Sequence, residues 1–486
     1  MAMISSPLPF AEPDAADAAH PDLLHRLHAV VGDAGLVTDP EAQAPYLRDW
    51  LGKWQGRTPV VVRPFDTAQT AAVMAICHET HTPVVTQGGN TGMSGGATPD
   101  ASGAQVVLSM VRMKAIRQVD AMNNSMTVEA GVLLAHVHAA AAEVDRFFPL
   151  SLGSEGSCTI GGNLATNAGG IAVLRYGNMR DLVLGIEAVL PDGRVWHGLR
   201  ALRKDNTGYD LRHLFIGSEG TLGVITAAVL KLYPQPVALS TAWVGAASLE
   251  ALVQLLARLR SQGGERLVAF EMMSQASLDL VLAQVTATRA PLAARHAFNA
   301  LVELADTRAD GLADLLEAAL GAAMEDGLAE DVAVSTSAAQ SAAFWKLREG
   351  ISQAQVRAGK AVKHDIALPI SAIAGFVAEA DAALAAVLPG VRIVNFGHLG
   401  DGNLHYNVLL PLDTPAAVVA ERTAVLNRTV HDLVNATGGS ISAEHGIGQL
   451  RRDELPRYKP ALEFELMMRI KQALDPNQIM NPGKLL

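Results

Sequence analysis

The sequence predicts an α+β fold in both halves of the chain, without strict strand–helix–strand alternation, on three observations. From "TPVVVRP" (58–64) to "LKLYPQP" (230–236), short β-branched strands and alanine-rich helices are separated by loops unusually dense in glycine. Prolines at 234 and 236 then mark a boundary. Beyond it come long alanine/leucine helices such as "LEALVQLLARLRSQ" and "ISAIAGFVAEADAALAAV", strands such as "RIVNF" and "LHYNVLL", and a final helix ending at "LDPNQIMNPGKLL". The expected organisation is a flexible tail (1–20), a helical segment (21–55), a glycine-rich domain (56–236) and a second domain (237–486) with an antiparallel sheet.

Composition narrows the function. The chain has 486 residues, 49% of them hydrophobic and 18% charged, which describes a globular protein with a sizeable core. A net charge of −11 argues against nucleic acid as a partner, so an anionic substrate needs local arginine or lysine. Two cysteines, Cys77 and Cys158, exclude a disulfide scaffold and point to a reducing compartment, the cytoplasm. The N-terminus has neither the basic start nor the apolar core of a signal peptide. No run of about 18 apolar residues is apparent, so no helix is expected to span a membrane.

The stretch "NFGHLGDGNLHYNV" (395–408) stands out in the second half. It holds three glycines, three asparagines, an aspartate and two histidines between strand-like runs. The intervening "LGDG" forbids a helix, so His398 and His405 are expected side by side on adjacent strands, with Asn407 on the face of His405. A second glycine-broken turn, "SAEHGIG" (442–448), brings Glu444 and His445. His398, His405 and Glu444 make a two-histidine, one-carboxylate set with an open position, as in catalytic zinc sites.

Three loops dominate the first half: "TQGGNTGMSGGA" (86–97), "SLGSEGSCTIGGNLATNAGG" (151–170) and "GSEGTLG" (217–223). Glycine lets backbone approach a ligand closely, and successive N–H groups form anion-binding nests. Three such loops in one domain suggest a large phosphate-bearing cofactor. "GMSGG" matches a hydrolase nucleophile elbow around Ser94, but "ATPDASG" cannot open the helix the elbow requires. No stretch fits G-x-G-x-x-G or G-x-x-x-x-G-K-[ST]. "HETH" (78–81) is not a zincin pair, and His136 and His138 on a helix point apart.

"PVVTQGGNTGMSGG", "GSCTIGGNLATNAGGIAVLRYGNMRDLVLGIEAVLPDG" and "LRKDNTGYDLRHLFIGSEGTLGVIT" resemble the FAD-binding domain of vanillyl-alcohol-oxidase-type flavoproteins. Within that superfamily the chain is similar to the group of D-lactate dehydrogenase, the flavin-binding chain of glycolate oxidase, and D-2-hydroxyglutarate dehydrogenase. The resemblance implies a two-lobed FAD-binding domain of the p-cresol-methylhydroxylase type followed by an α+β substrate domain. It places Gln87, Gly88, Gly89, Asn90, Thr91 and Gly92 around the pyrophosphate. Gly153, Ser157, Gly161, Gly162, Asn163 and Thr166 would line the flavin and ribityl chain, with Glu219 and Ile225 near the adenine half and Asn481 in the returning C-terminal segment. Some relatives tether FAD through a histidine after the paired glycines; Asn90 stands there, so FAD is expected to be non-covalent.

The resemblance also implies chemistry. "GHLGDGNLH" and "AEHG" match metal-binding motifs, with zinc favoured on ligand type over manganese, cobalt or iron. His445 is the candidate base for a hydroxyl proton. "FWKLREGISQAQVRAGKAVKHDIALP" (344–369) resembles a substrate-binding segment, giving Arg348, Ser352 and Lys363 as carboxylate partners, with Asn407 joining them. From spacing alone the same segment reads as a solvated helix face and a strand-edge lysine. Two carboxylate-binding cations favour D-2-hydroxyglutarate, or D-malate, over D-lactate. Electrons would pass to an acceptor such as an electron-transfer flavoprotein or a quinone, and the resemblance is compatible with a homodimer. A flavin-binding component of a larger glycolate-oxidising complex is the alternative.

Overall fold

The computed structural model describes residues 21–486, so the tail expected over 1–20 lies outside the described residues. The first half holds two small sheets. One has four strands in the order Leu36–Val37, Val61–Val62, Val106–Ser109, Val84–Gln87, with its last three strands parallel. The other is antiparallel: Ile116–Asp120, Ser125–Glu129, Val224–Lys231, Val183–Val189, Val195–Gly198. Between 21 and 55 the expected helical character holds only for Pro21–Gly35 and the short turns over 40–46. Residues 48–55 instead form a tight hairpin, because the Asp49 carboxylate accepts the Leu51 and Trp54 N–H groups and Gly52 takes φ 66°.

The second half is built on one antiparallel sheet. Its strands run Asp331–Val334, Ala238–Ala246, Phe298–Asp306, Leu267–Ser274, Arg392–His398, Asn403–Leu410, Lys360–Val362, and Asp365–Ala367 also pairs with Asn403–Leu410. Helices cover both faces, so these strands read as continuous apolar runs. Alternation sorts them: Ala242 and Val244 join the core under Leu249–Gly263 and Ile373–Val387, whereas Trp243 packs with Phe344, Leu347 and Ile351.

The expectation of no apolar run long enough to cross a membrane needs correcting. Ile370–Val387 meets that length and composition, with mean hydropathy 1.7. Isoleucine, valine, leucine and phenylalanine supply more of that value than the alanines do. The helix buries Ile373, Phe376, Val377, Ala380 and Leu384 in the sheet's core, and its Asp381 accepts the Tyr406 hydroxyl.

The chain end closes the first sheet. Met480 pairs in parallel with Val84, and the Asn481 N–H donates to the Val84 carbonyl at 2.7 Å. The turn before it is organised by Asp475, fully buried, which accepts the N–H groups of Ile479 (3.1 Å) and Met480 (2.9 Å) and pairs with Lys471 at 2.5 Å. Replacing Asp475 with alanine leaves the half-buried Lys471 without its counter-ion and the turn without its acceptor, so stability should fall by about 3 kcal/mol, read as a lower denaturant midpoint.

Candidate active site

The glycine loops wall a cleft lined by Gln87 to Gly92, Gly161, Gly162, Asn163, Thr166, Glu219 and Ile225, and reached by His445. Its walls touch closely because they lack side chains. A Cβ on Gly88 would lie 2.3 Å from Thr159 Oγ1, and one on Gly89 2.0 Å from the Ser157 carbonyl oxygen. A Cβ on Gly92 would meet nothing within 4 Å. Thr159 Oγ1 is buried on this wall without a hydrogen-bond partner. An open backbone cradle with an orphaned hydroxyl fits a large phosphate-bearing cofactor.

Some expected cofactor residues sit elsewhere. Gly153 and Ser157 are exposed and lie off the cleft wall; Ser157 contributes its backbone behind Gly89. Asn481 is buried and acts as a brace: its Nδ2 donates to the carbonyls of Gly96 (2.9 Å) and Glu219 (2.7 Å). Asn90, at φ 53°, turns its amide onto the carbonyls of Pro45 (3.1 Å) and Arg48 (2.9 Å). The Glu219 carboxylate accepts the N–H groups of Ile447 (2.8 Å) and Gly448 (2.7 Å), so it grips the loop that carries His445. Burial pushes its carboxyl upward. Ser94 is buried in a loop, and its hydroxyl donates to the carbonyls of His445 (3.0 Å) and Gly446 (3.2 Å). No helix opens there, and the hydrolase elbow has no geometry to stand on.

The second half brings His445 to the cleft, its ring 6.1 Å from that of His405. Phe396 pairs with His405 across the two strands, and the His398 and His405 rings lie 5.7 Å apart. One ligand atom each from His398, His405 and Glu444 fall within 4.8 Å of one another. His398 Nε2 is 3.7 Å from Glu444 Oε1, too long for a hydrogen bond. Atoms at that spacing can share a cation at about 2.0–2.2 Å from each.

Residues not foreseen in the sequence orient these groups. Glu271 lies opposite His398 on the neighbouring strand and takes the Nδ1–H at 2.7 Å, leaving Nε2 to face Glu444. Burial pushes Glu271 up, but His398 and Arg348 outweigh it and hold its carboxyl at about 2. Burial opposes charge on His398, yet Glu271 raises it to about 9. Asp365, almost fully buried, accepts the N–H groups of Glu444 and His445 at 2.9 Å each and lies 3.2 Å from His445 Nδ1. Burial pushes Glu444 up to about 7, with Asp365, Asp401 and Glu271 adding to the local negative charge. Buried carboxylates gathered around two imidazoles suit a divalent cation.

The expected substrate residues divide. The Phe344/Leu347/Ile351 stripe is buried, and Arg348 lies beside it over the Phe396 ring, its Nε and Nη2 on Glu271 Oε2 at 2.7 and 2.6 Å. Among the described residues Nη1 makes no hydrogen bond. Ser352 is exposed. Asn407 has both ends of its amide engaged: Oδ1 accepts the His364 N–H and Nδ2 donates to Gln355. Lys363 is expected on a strand; it sits instead with His364 in the break between Lys360–Val362 and Asp365–Ala367. The Asn407 side chain replaces a ladder partner there.

Known families match both halves. The family described as FAD linked oxidases, C-terminal domain, matches residues 235–485, and the FAD binding domain family matches residues 58–198. The chain belongs to the FAD-linked oxidase family and is an FAD-dependent oxidoreductase. Among its relatives, a D-2-hydroxyglutarate dehydrogenase of Xanthomonas citri pv. viticola is 39% identical, covering 93% of this chain and 94% of that protein. The mitochondrial D-2-hydroxyglutarate dehydrogenase of Bos taurus is 38% identical over 93% of this chain and 81% of its own length. A putative mitochondrial D-lactate dehydrogenase of Schizosaccharomyces pombe is 35% identical over 92% and 85%. The fold is that of p-cresol methylhydroxylase with substrate bound, at TM-score 0.75, 17% identity and 96% coverage of both chains.

The cradle separates packing from cofactor contact. Gly92→Ala should leave the melting of flavin-free protein unchanged while weakening FAD retention at least about tenfold, because its methyl occupies cofactor space. Gly88→Ala should lower both.

Proposed function

We propose that this protein oxidises a D-2-hydroxy acid to the 2-oxo acid, D-2-hydroxyglutarate or D-malate ahead of D-lactate. The observation that carries the reading is the clustering of His398, His405 and Glu444, from distant parts of the second half, beside His445, which reaches the glycine-walled cleft of the first. The relatives named for D-2-hydroxyglutarate support the substrate, as do Arg348 and Lys363 beside the site.

When bound, FAD supplies the acceptor for the hydride leaving C2, and a divalent cation, with zinc favoured, held by His398, His405 and Glu444 supplies Lewis acidity toward the C2 hydroxyl. The remaining work belongs to the chain. Arg348 offers Nη1 to the substrate carboxylate, and its contact with Glu271 fixes the guanidinium plane. His445 takes the hydroxyl proton on Nε2, because Asp365 orients Nδ1. The Asp365 carboxylate then stabilises the imidazolium, as a buried acid does behind a histidine base. Asn90 presents an amide rather than a nucleophile, so FAD is held non-covalently. An electron-transfer flavoprotein or a quinone would be the external acceptor of the electrons.

The purified protein should be yellow, and D-2-hydroxyglutarate or D-malate should bleach it without oxygen. D-lactate and glycolate should act weakly. Chelation should abolish bleaching and zinc restore it. A colourless protein, or bleaching by glycolate alone, overturns the reading; bleaching that survives complete metal removal overturns the metal's part. His445→Ala should keep the flavin bands and slow reduction at least about 100-fold. In Glu271→Gln, metal affinity should drop about 10- to 100-fold in direct metal-binding titrations.

A further inference from the structure

Ser94 is left without a task by the chemistry above, although it is only 3% exposed and lies where the two halves of the chain meet. It comes from the first half, and it bonds to four of the six residues from 445 to 450 in the second. Its hydroxyl donates to the carbonyls of His445 (3.0 Å) and Gly446 (3.2 Å), and its own carbonyl accepts the N–H groups of Gln449 (2.9 Å) and Leu450 (3.2 Å). Gly448 lies directly against it: a Cβ there would stand 2.2 Å from the Ser94 carbonyl oxygen and 2.8 Å from the Ser94 Cβ.

The bonds of the 444–450 loop show what the hydroxyl alone supplies. Asp365 takes the N–H groups of Glu444 and His445, and Glu219 takes those of Ile447 and Gly448. The Gly446 carbonyl has two further donors, Ser442 Oγ at 2.8 Å and Arg451 Nη1 at 3.3 Å. The His445 carbonyl, among the described residues, accepts only from Ser94 Oγ. His445 is thus gripped on its N–H by the second half and on its carbonyl by the first. Those two bonds fix the peptide planes on either side of its Cα, and the planes set the direction in which the imidazole projects. The next residue adds no stiffness. Gly446 stands at φ 71°, and glycine lets the 445–446 peptide swivel at little cost.

We propose that Ser94 is a positioning residue for His445: its hydroxyl, supplied by the cofactor-binding half, locks the 445–446 peptide and so aims the imidazole into the cleft that both residues line. The glycine loop that walls the cleft then also sets the base, and the imidazole is aimed only when the two halves are docked. This rests on the role of His445 proposed above.

The test uses the flavin-loaded enzyme with Ser94→Ala, His445→Ala and the two combined. Three quantities are followed: flavin reduction by D-2-hydroxyglutarate without oxygen, binding of 2-oxoglutarate through the flavin spectrum, and retention of FAD. Alanine removes the hydroxyl but keeps the carbonyl at 94 and its bonds to Gln449 and Leu450, so the loop stays docked. In Ser94→Ala reduction should slow about tenfold, while 2-oxoglutarate binding and FAD retention stay within about twofold, as loss of one orienting hydrogen bond predicts. Placed on His445→Ala, the same substitution should change the reduction rate less than about twofold, because no imidazole is left to aim. Ser94→Cys, a weaker donor of nearly the same shape, should fall between serine and alanine. An undiminished rate in Ser94→Ala, an equal slowing with and without His445, or a loss of flavin in place of a loss of rate overturns the inference alone. If His445→Ala itself is reduced as fast as the wild type, the reading of His445 as the base falls, and this inference with it.

Discussion

One buried carboxylate, Asp365, is the constraint on which the site depends. It accepts two consecutive backbone N–H groups at residues 444 and 445, and the Asn403 side chain at 2.9 Å, while His405 and His445 stand within 3.7 Å and 3.2 Å. Segments remote in sequence thus share one anion. Burial opposes that charge, and the surrounding donors and imidazoles hold the carboxyl well below its ordinary range. Without it, neither the turn at 442–448 nor the two ring orientations would have a reason to persist.

The cofactor side answers with its own acid. Glu219, itself at φ 52°, grips the next two N–H groups of the same loop, those of Ile447 and Gly448. Gly446 and Gly448 are required at this point: a Cβ on the first would lie 2.8 Å from Glu219, and one on the second 2.2 Å from the Ser94 carbonyl. The loop carrying Glu444 and His445 is therefore clamped between both halves of the chain. Its placement is a property of the whole molecule, not of either lobe.

Much of this was legible in the residues. The glycine loops announced a cleft because close backbone approach admits almost nothing else, and "GHLGDGNLH" could be only a strand pair broken by a turn. The residues behind the ligands were not legible. Glu271 sits in an ordinary apolar strand, and only the pairing of Leu267–Ser274 with Arg392–His398 sets it against His398. Asp365 likewise carries no local pattern, since its partner Asn403 lies 38 residues away in sequence and the others further still. Asn407 shows the opposite failure: its register beside His405 was clear, but the break in the neighbouring strand claimed its amide.

The position of residues 480 and 481 bears on how the cleft is assembled. Val84 finds its edge partner at Met480, and Asn481 ties Gly96 to Glu219. The brace on Gly96 comes from 385 positions away along the chain. A folding intermediate in which that distant segment has not docked therefore presents an unfinished cradle, and firm retention of flavin reports that remote segments have met.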